Sequence, residues 1–133
     1  MAFASVLVVD DDIAVLASAR AVLGAAGYTV NEALSGRRAL QRITANPPHV
    51  LITEVCMPDG DGIELITAVK RSHPDMRIIA VTEHRFLGAL DLLDLASQLG
   101  ADALLDKPIK AEKLLAIVAR LVGLEAQPDL NTL

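Results

Sequence analysis

The chain is poor in the features that mark several large classes of protein. Among its 133 residues there is one cysteine, Cys56. A lone thiol cannot build an internal disulfide framework or a thiolate-rich metal site, which fits a reducing compartment. No apolar run approaches the ~18 residues of a membrane span. The opening stretch MAFASVLVVDDD has no basic region before its short apolar run and breaks into acids at once, so it does not read as a signal peptide. A basic excess is missing too: the formal net charge is −5, with 12 Lys and Arg scattered among 17 Asp and Glu. Binding a phosphate backbone needs a concentrated basic face, so no direct nucleic-acid contact is expected. His49, His73 and His84 stand at the ends of different segments without metal-ligand spacing. A soluble cytoplasmic protein is expected.

What the chain does have is apolar content, 53% of residues, enough to fill the core of one ordinary domain. Short apolar runs alternate with helical periodicity, the pattern of a parallel sheet with crossover helices. Five strands are predicted: SVLVV (5–9), YTVNEA (28–33), HVLIT (49–53), RIIAVT (77–82) and DALL (102–105). The first, third and fourth lack alternation, as strands covered on both faces do, whereas the second alternates and suits an edge. Helices are predicted over 12–26, 36–45, 61–72, 86–99 and 110–123, closed by Gly27, Asn46-Pro47-Pro48, His73-Pro74 and Gly100 after the first four. One domain over 1–124 is expected, followed by a tail or linker stub over 125–133.

In an open parallel sheet the working site lies beyond the carboxyl ends of the strands. The first strand is followed there by Asp10, Asp11 and Asp12. The third delivers Glu54, the fourth Thr82, and the fifth is followed by Lys107. Clustered carboxylates repel one another unless a cation relieves them, so a divalent ion or Lys107 is expected among them, with Lys107 paired to Glu54 or Asp11. Asp12 also suits the cap of the first helix.

The set VLVVDDD, LITEVCMPDGDG, VT and DKP, in this order and at these separations, resembles the receiver domain of two-component response regulators over about residues 5–123. The resemblance implies a flavodoxin-like α/β fold, a five-stranded parallel sheet of order 2-1-3-4-5 with helices on both faces. It implies signalling through protein contacts, with a sensor histidine kinase or an output protein as partner and no turnover of its own. In that family an acidic pair after the first strand holds Mg²⁺ and an Asp ending the third takes a phosphoryl group. A Ser/Thr and a Lys then sense the product. Asp10 and Asp11 match the acidic pair, Thr82 the hydroxyl and Lys107 the lysine. The implied metal ligands are Asp11, Glu54 and the backbone carbonyl of Cys56.

Three positions depart from the family pattern. The phosphoacceptor position holds Glu54 instead of Asp. Its extra methylene moves the carboxylate by roughly 1.5 Å, and a misplacement of about 1 Å costs ~10²-fold in a positioned reaction. Ordinary phosphorylation is therefore not expected, and Glu54 is a candidate for partial imitation of the phosphorylated state, with one charge against the −1.5 to −2 or so of a phosphoryl group. Leu104 stands three residues before Lys107, where the family places a Phe or Tyr that turns inward. Glu83 adds bulk and charge where a small residue is usual. Together these suggest an atypical receiver, or pseudo-receiver, with at most weak Mg²⁺ binding.

Two other readings stay open. Asp10-x-Asp12 after a first strand also resembles the start of haloacid-dehalogenase-type phosphatases, with Asp10 as nucleophile and Asp12 as acid/base. A scaffold with a dead site is the other. At 100° per residue, Phe86, Ala89, Leu90, Leu92, Leu93, Ala96 and Leu99 form one face expected on the sheet. The fifth helix has an inward set of Ala111, Leu114, Leu115, Val118 and Leu121. Leu87, Leu95 and Ile117 fall outside these faces and mark an expected interface, for a homodimer or an output partner, along the fourth helix, fifth strand and fifth helix.

Overall fold

Three continuous apolar runs build the middle of the sheet, and their alternate side chains supply the cores on its two faces. The computed structural model describes residues 4–58 and 61–126. In chain order the elements are β1 (Ser5–Val9), α1 (Ile13–Ala25), β2 (Thr29–Ala33), α2 (Gly36–Ala45), β3 (Val50–Glu54) and α3 (Asp61–Ser72). They continue with β4 (Arg77–Thr82), β5 (Phe86–Leu87), β6 (Leu90–Asp91), α4 (Leu92–Leu99), β7 (Ala103–Asp106) and α5 (Ala111–Ala126). Five strands form one parallel sheet of order β2-β1-β3-β4-β7. The expected order is thus observed, with β7 as the fifth strand of the sheet. β3 is buried throughout and β1 and β4 at all but their first residue, while β2 and β7 alternate as edge strands.

Successive strand residues point to opposite faces. Leu7, Val9, Leu51, Ile78 and Ala80 pack with Ala39, Ile43, Leu65, Ile66, Val69, Leu93 and Ala96 of α2, α3 and α4. Val6, Val8, Val50, Ile52, Ile79, Val81 and Leu105 pack with Leu16, Leu23, Leu114, Val118 and Leu121 of α1 and α5. Each Val, Leu or Ile among them contributes about 1.5–3 kcal/mol through burial, so both layers of helices are fixed to the sheet. Asp12 caps α1 by accepting from the Ala14 amide at 2.9 Å, as expected. Among the described residues no helix is long and apolar enough to cross a membrane.

The fourth helix departs from expectation. It begins at Leu92 rather than 86, and residues 86–91 form the antiparallel hairpin β5–β6. The cause is local. The Asp91 carboxylate accepts from the amides of Leu93 and Asp94, both at 3.1 Å, and so caps α4, while Gly88 takes the turn at φ +61°. Phe86, Ala89 and Leu90, expected against the sheet, are exposed. On α5, Ala111 is exposed and Leu115 half-buried, whereas Leu114, Val118 and Leu121 face the core. Of the three residues marked for an interface, Leu87 is 64% exposed. Leu95 and Ile117 are half-buried, and Ile117 packs against the α1/α5-side core. α5 runs to Ala126, past the boundary expected at 124, and the tail expected beyond it, 127–133, lies outside the described residues.

Gly62, in the first turn of α3, lies so close to the end of β3 that a Cβ there would collide with the carbonyl oxygens of Glu54 and Val55. Gly24, in α1, has open space where its Cβ would be. Gly62→Ala should lower stability in urea unfolding by roughly 1–3 kcal/mol. Gly24→Ala should raise it by about 0.5–1 kcal/mol.

Candidate functional site

The parity of the strands decides which side chains meet at their carboxyl ends. Asp10 continues the alternation of Val6 and Val8, Glu54 that of Val50 and Ile52, and Lys107 that of Ala103 and Leu105. All three sets belong to the α1/α5 face. Thr82 is in the opposite phase, with Ile78 and Ala80. The register pairs Val9 with Thr53, Glu54 with Val81, and Thr82 with Asp106, so the strand ends are nearly level.

Three charges converge there. The Lys107 ammonium lies 2.6 Å from Asp10 Oδ2 and 2.8 Å from Glu54 Oε1. Asp10 is 2% exposed and Glu54 5%, and the Lys107 side chain 11%. The remaining oxygens are also used. Asp10 Oδ1 accepts from the Asp12 amide at 2.9 Å. Glu54 Oε2 accepts from the amides of Val55 at 2.7 Å and Cys56 at 3.1 Å. The longer side chain thus folds back over its own strand end. Lys107 is held in turn by its backbone amide, which donates to the Thr82 carbonyl at 3.0 Å, and it precedes a cis peptide bond to Pro108. Burial alone would lower the lysine's proton affinity. The hydrogen bonds and charges of Asp10 and Glu54 outweigh it, and the ammonium titrates above its ordinary range.

Asp10, Glu54 and Lys107 are therefore brought together. Of the two partners expected for Lys107, Glu54 is observed; Asp11 is instead exposed, and Asp10 joins the pair, because Asp10 and not Asp11 has the inward phase. Cys56 is exposed and turns its amide toward Glu54. Among the described residues no group of three or more His, Cys, Asp or Glu has a metal-holding arrangement. The Thr82 side chain is buried, and its hydroxyl exchanges 3.3 Å hydrogen bonds with the backbone of His84. Leu104 and Glu83 are exposed. For phosphatase chemistry Asp10 would have to be a free nucleophile and Asp12 an acid/base, but Asp10 is paired with Lys107 and Asp12 caps α1. The Val55 and Cys56 amides were missed from sequence. Their signal was the length of Glu54, which suffices to reach back to them.

Residues 6–119 match the family described as response regulator receiver domain. Response regulator MprA of Mycobacterium ulcerans is 37% identical over 115 residues, which cover 84% of this chain and 47% of that protein. The DNA-binding transcriptional regulator NtrC of Escherichia coli is 32% identical over 118 residues, covering 89% of this chain and 24% of that protein. The chain thus spans about half the length of MprA and about a quarter of that of NtrC. Among solved structures, the CheY-like response regulator receiver domain protein of Methanospirillum hungatei matches with a TM-score of 0.84 and 30% identity, over 93% of this chain and 98% of that one.

Removing the ammonium leaves two buried carboxylates facing each other. Lys107→Met should therefore cost roughly 3–5 kcal/mol in urea unfolding at neutral pH. The alkaline limb gives a second check. Below about pH 10.4, the ordinary lysine value, the contribution of Lys107 is complete. Because its folded value is higher, that contribution is lost as pH rises through the folded value. The parent should lose stability across this alkaline window, and Lys107→Met should lose less.

Proposed function

The chain belongs to the response regulator receiver family, and we propose that within this family of two-component signalling modules it is an atypical receiver that does not take a phosphoryl group in the ordinary way. The observation that carries the reading is the occupation of both Glu54 oxygens, one by Lys107 at 2.8 Å and the other by the Val55 and Cys56 amides at 2.7 and 3.1 Å. A carboxylate bound on both sides is a poor in-line nucleophile, and these are the donors that would otherwise be free for an incoming anion. Glu54 thereby places one negative charge against Lys107 permanently. The imitation of a phosphorylated site is partial, since the Thr82 hydroxyl stays with His84 and one carboxylate carries less charge than a phosphoryl group.

Mg²⁺ would be held by Asp11, Glu54 and the Cys56 carbonyl, and weakly, because Lys107 already neutralises the pocket. Signalling then runs through protein contacts in the cytoplasm, with a histidine kinase or an output protein, without direct nucleic-acid binding. The contact face comprises α4, β7 and α5, with Leu95 and Ile117 and with Leu87 on the hairpin that precedes α4, and it also suits a homodimer. The domain is taken as 1–124, with α5 running on to Ala126 before a tail or linker.

Intact-mass measurement after incubation with Mg²⁺ and a small acyl phosphate tests this. The parent should show no phosphoryl adduct, and Glu54→Asp should acquire one. An adduct on Glu54 of the parent, or a variant that labels no better, would overturn the reading. Calorimetric titration with Mg²⁺ should give little heat for the parent and a stronger response for Glu54→Asp; tight stoichiometric binding to the parent would contradict the account of the pocket.

A further inference from the structure

The segment before α4 meets two structural requirements at once. Its sequence can continue α4 toward the N-terminus: at 100° per residue Ala89 falls in the middle of the arc of Leu92, Leu93 and Ala96, and Phe86 at its edge. The observed hairpin does the opposite, leaving Phe86 62%, Leu87 64% and Leu90 46% exposed. Two strands of two residues each bury too little to be stable alone. Something else holds them.

That hold is polar and specific. The Arg85 guanidinium forks onto Asp91, with Nε 3.0 and 3.2 Å from its two oxygens and Nη2 2.9 Å from Oδ2. The Arg85 carbonyl accepts from the Leu92 amide at 2.7 Å, and the guanidinium lies 5.4 Å from the centre of the Phe86 ring. The hydrogen bond between them raises the Arg85 proton affinity and holds the Asp91 carboxyl below its usual range. Asp91 is also the cap of α4. In a helix the same two residues, six apart, would lie about 120° from each other around the axis and about 9 Å apart along it, out of side-chain reach. The pair therefore exists only in the hairpin form, as does the φ of +61° at Gly88.

We infer that the Arg85–Asp91 pair is a latch that keeps α4 short, and that when it opens α4 extends through residues 86–91, withdrawing Ala89 and Phe86 from the surface. This device is independent of whether Glu54 can be phosphorylated. Its two states differ in the number of helical residues and in whether a mostly apolar hairpin is displayed.

Backbone chemical shifts of Arg85→Gln, alone and combined with Gly88→Ala, test it. Arg85→Gln removes the fork but leaves the Asp91 cap. Gly88→Ala penalises the positive φ, and its Cβ would meet nothing. The parent should give extended shifts over 86–87 and 90–91. In the double variant the Cα shifts over 86–91 should become helical and the amide protection of α4 should spread into them, with β4 and β7 unchanged. Arg85→Gln alone should move part of the way. Extended shifts retained in both variants would overturn the latch, and so would random-coil shifts, because the segment would then unravel without extending the helix.

Discussion

Everything at the working end of this protein depends on one ammonium group placed between two buried carboxylates. Lys107 reaches from the loop after β7 to Asp10, beyond β1, and Glu54, at the end of β3, while its backbone amide is bonded to Thr82 on β4. Four of the five parallel strands thus meet through one residue. Asp10 and Glu54 are both almost fully buried, and the lysine and the surrounding amides offset the cost of burying these polar groups. The fold supplies the convergence by parity: three strands end in phase, on the face covered by α1 and α5.

The Glu54 carboxylate is held on both sides. One oxygen can pair with Lys107 while the other reaches back to the amides of Val55 and Cys56. Glu54 does both, so the donors that could receive an anion are already engaged. The Thr82 hydroxyl, in the other phase of the sheet, remains with His84.

Much of the architecture was legible in the sequence. The strands at Ser5–Val9 and Arg77–Thr82 and the helices at Gly36–Ala45 and Asp61–Ser72 fall where periodicity and end signals put them, because local pattern and tertiary burial agree there. The start of α4 was not legible. Helical spacing continues back to Phe86, but Asp91 and Arg85, six residues apart, cooperate only once the chain has turned, and no periodic pattern encodes that pairing. At the site the residue types and the pairing of Lys107 with Glu54 were readable, and the partner from beyond β1 was not. Asp10 and Asp11 are chemically identical, and only the phase of β1 tells that Asp10 meets Lys107.

The central claim is that Glu54 and Lys107 act as one buried unit. A double-mutant cycle on Glu54→Gln and Lys107→Met, read by urea unfolding at neutral pH, measures their coupling directly. The account predicts that the two substitutions are strongly non-additive, with an interaction energy of roughly 1–3 kcal/mol. Additive effects, with a coupling near zero, would contradict it and leave the lysine as a partner of Asp10 alone.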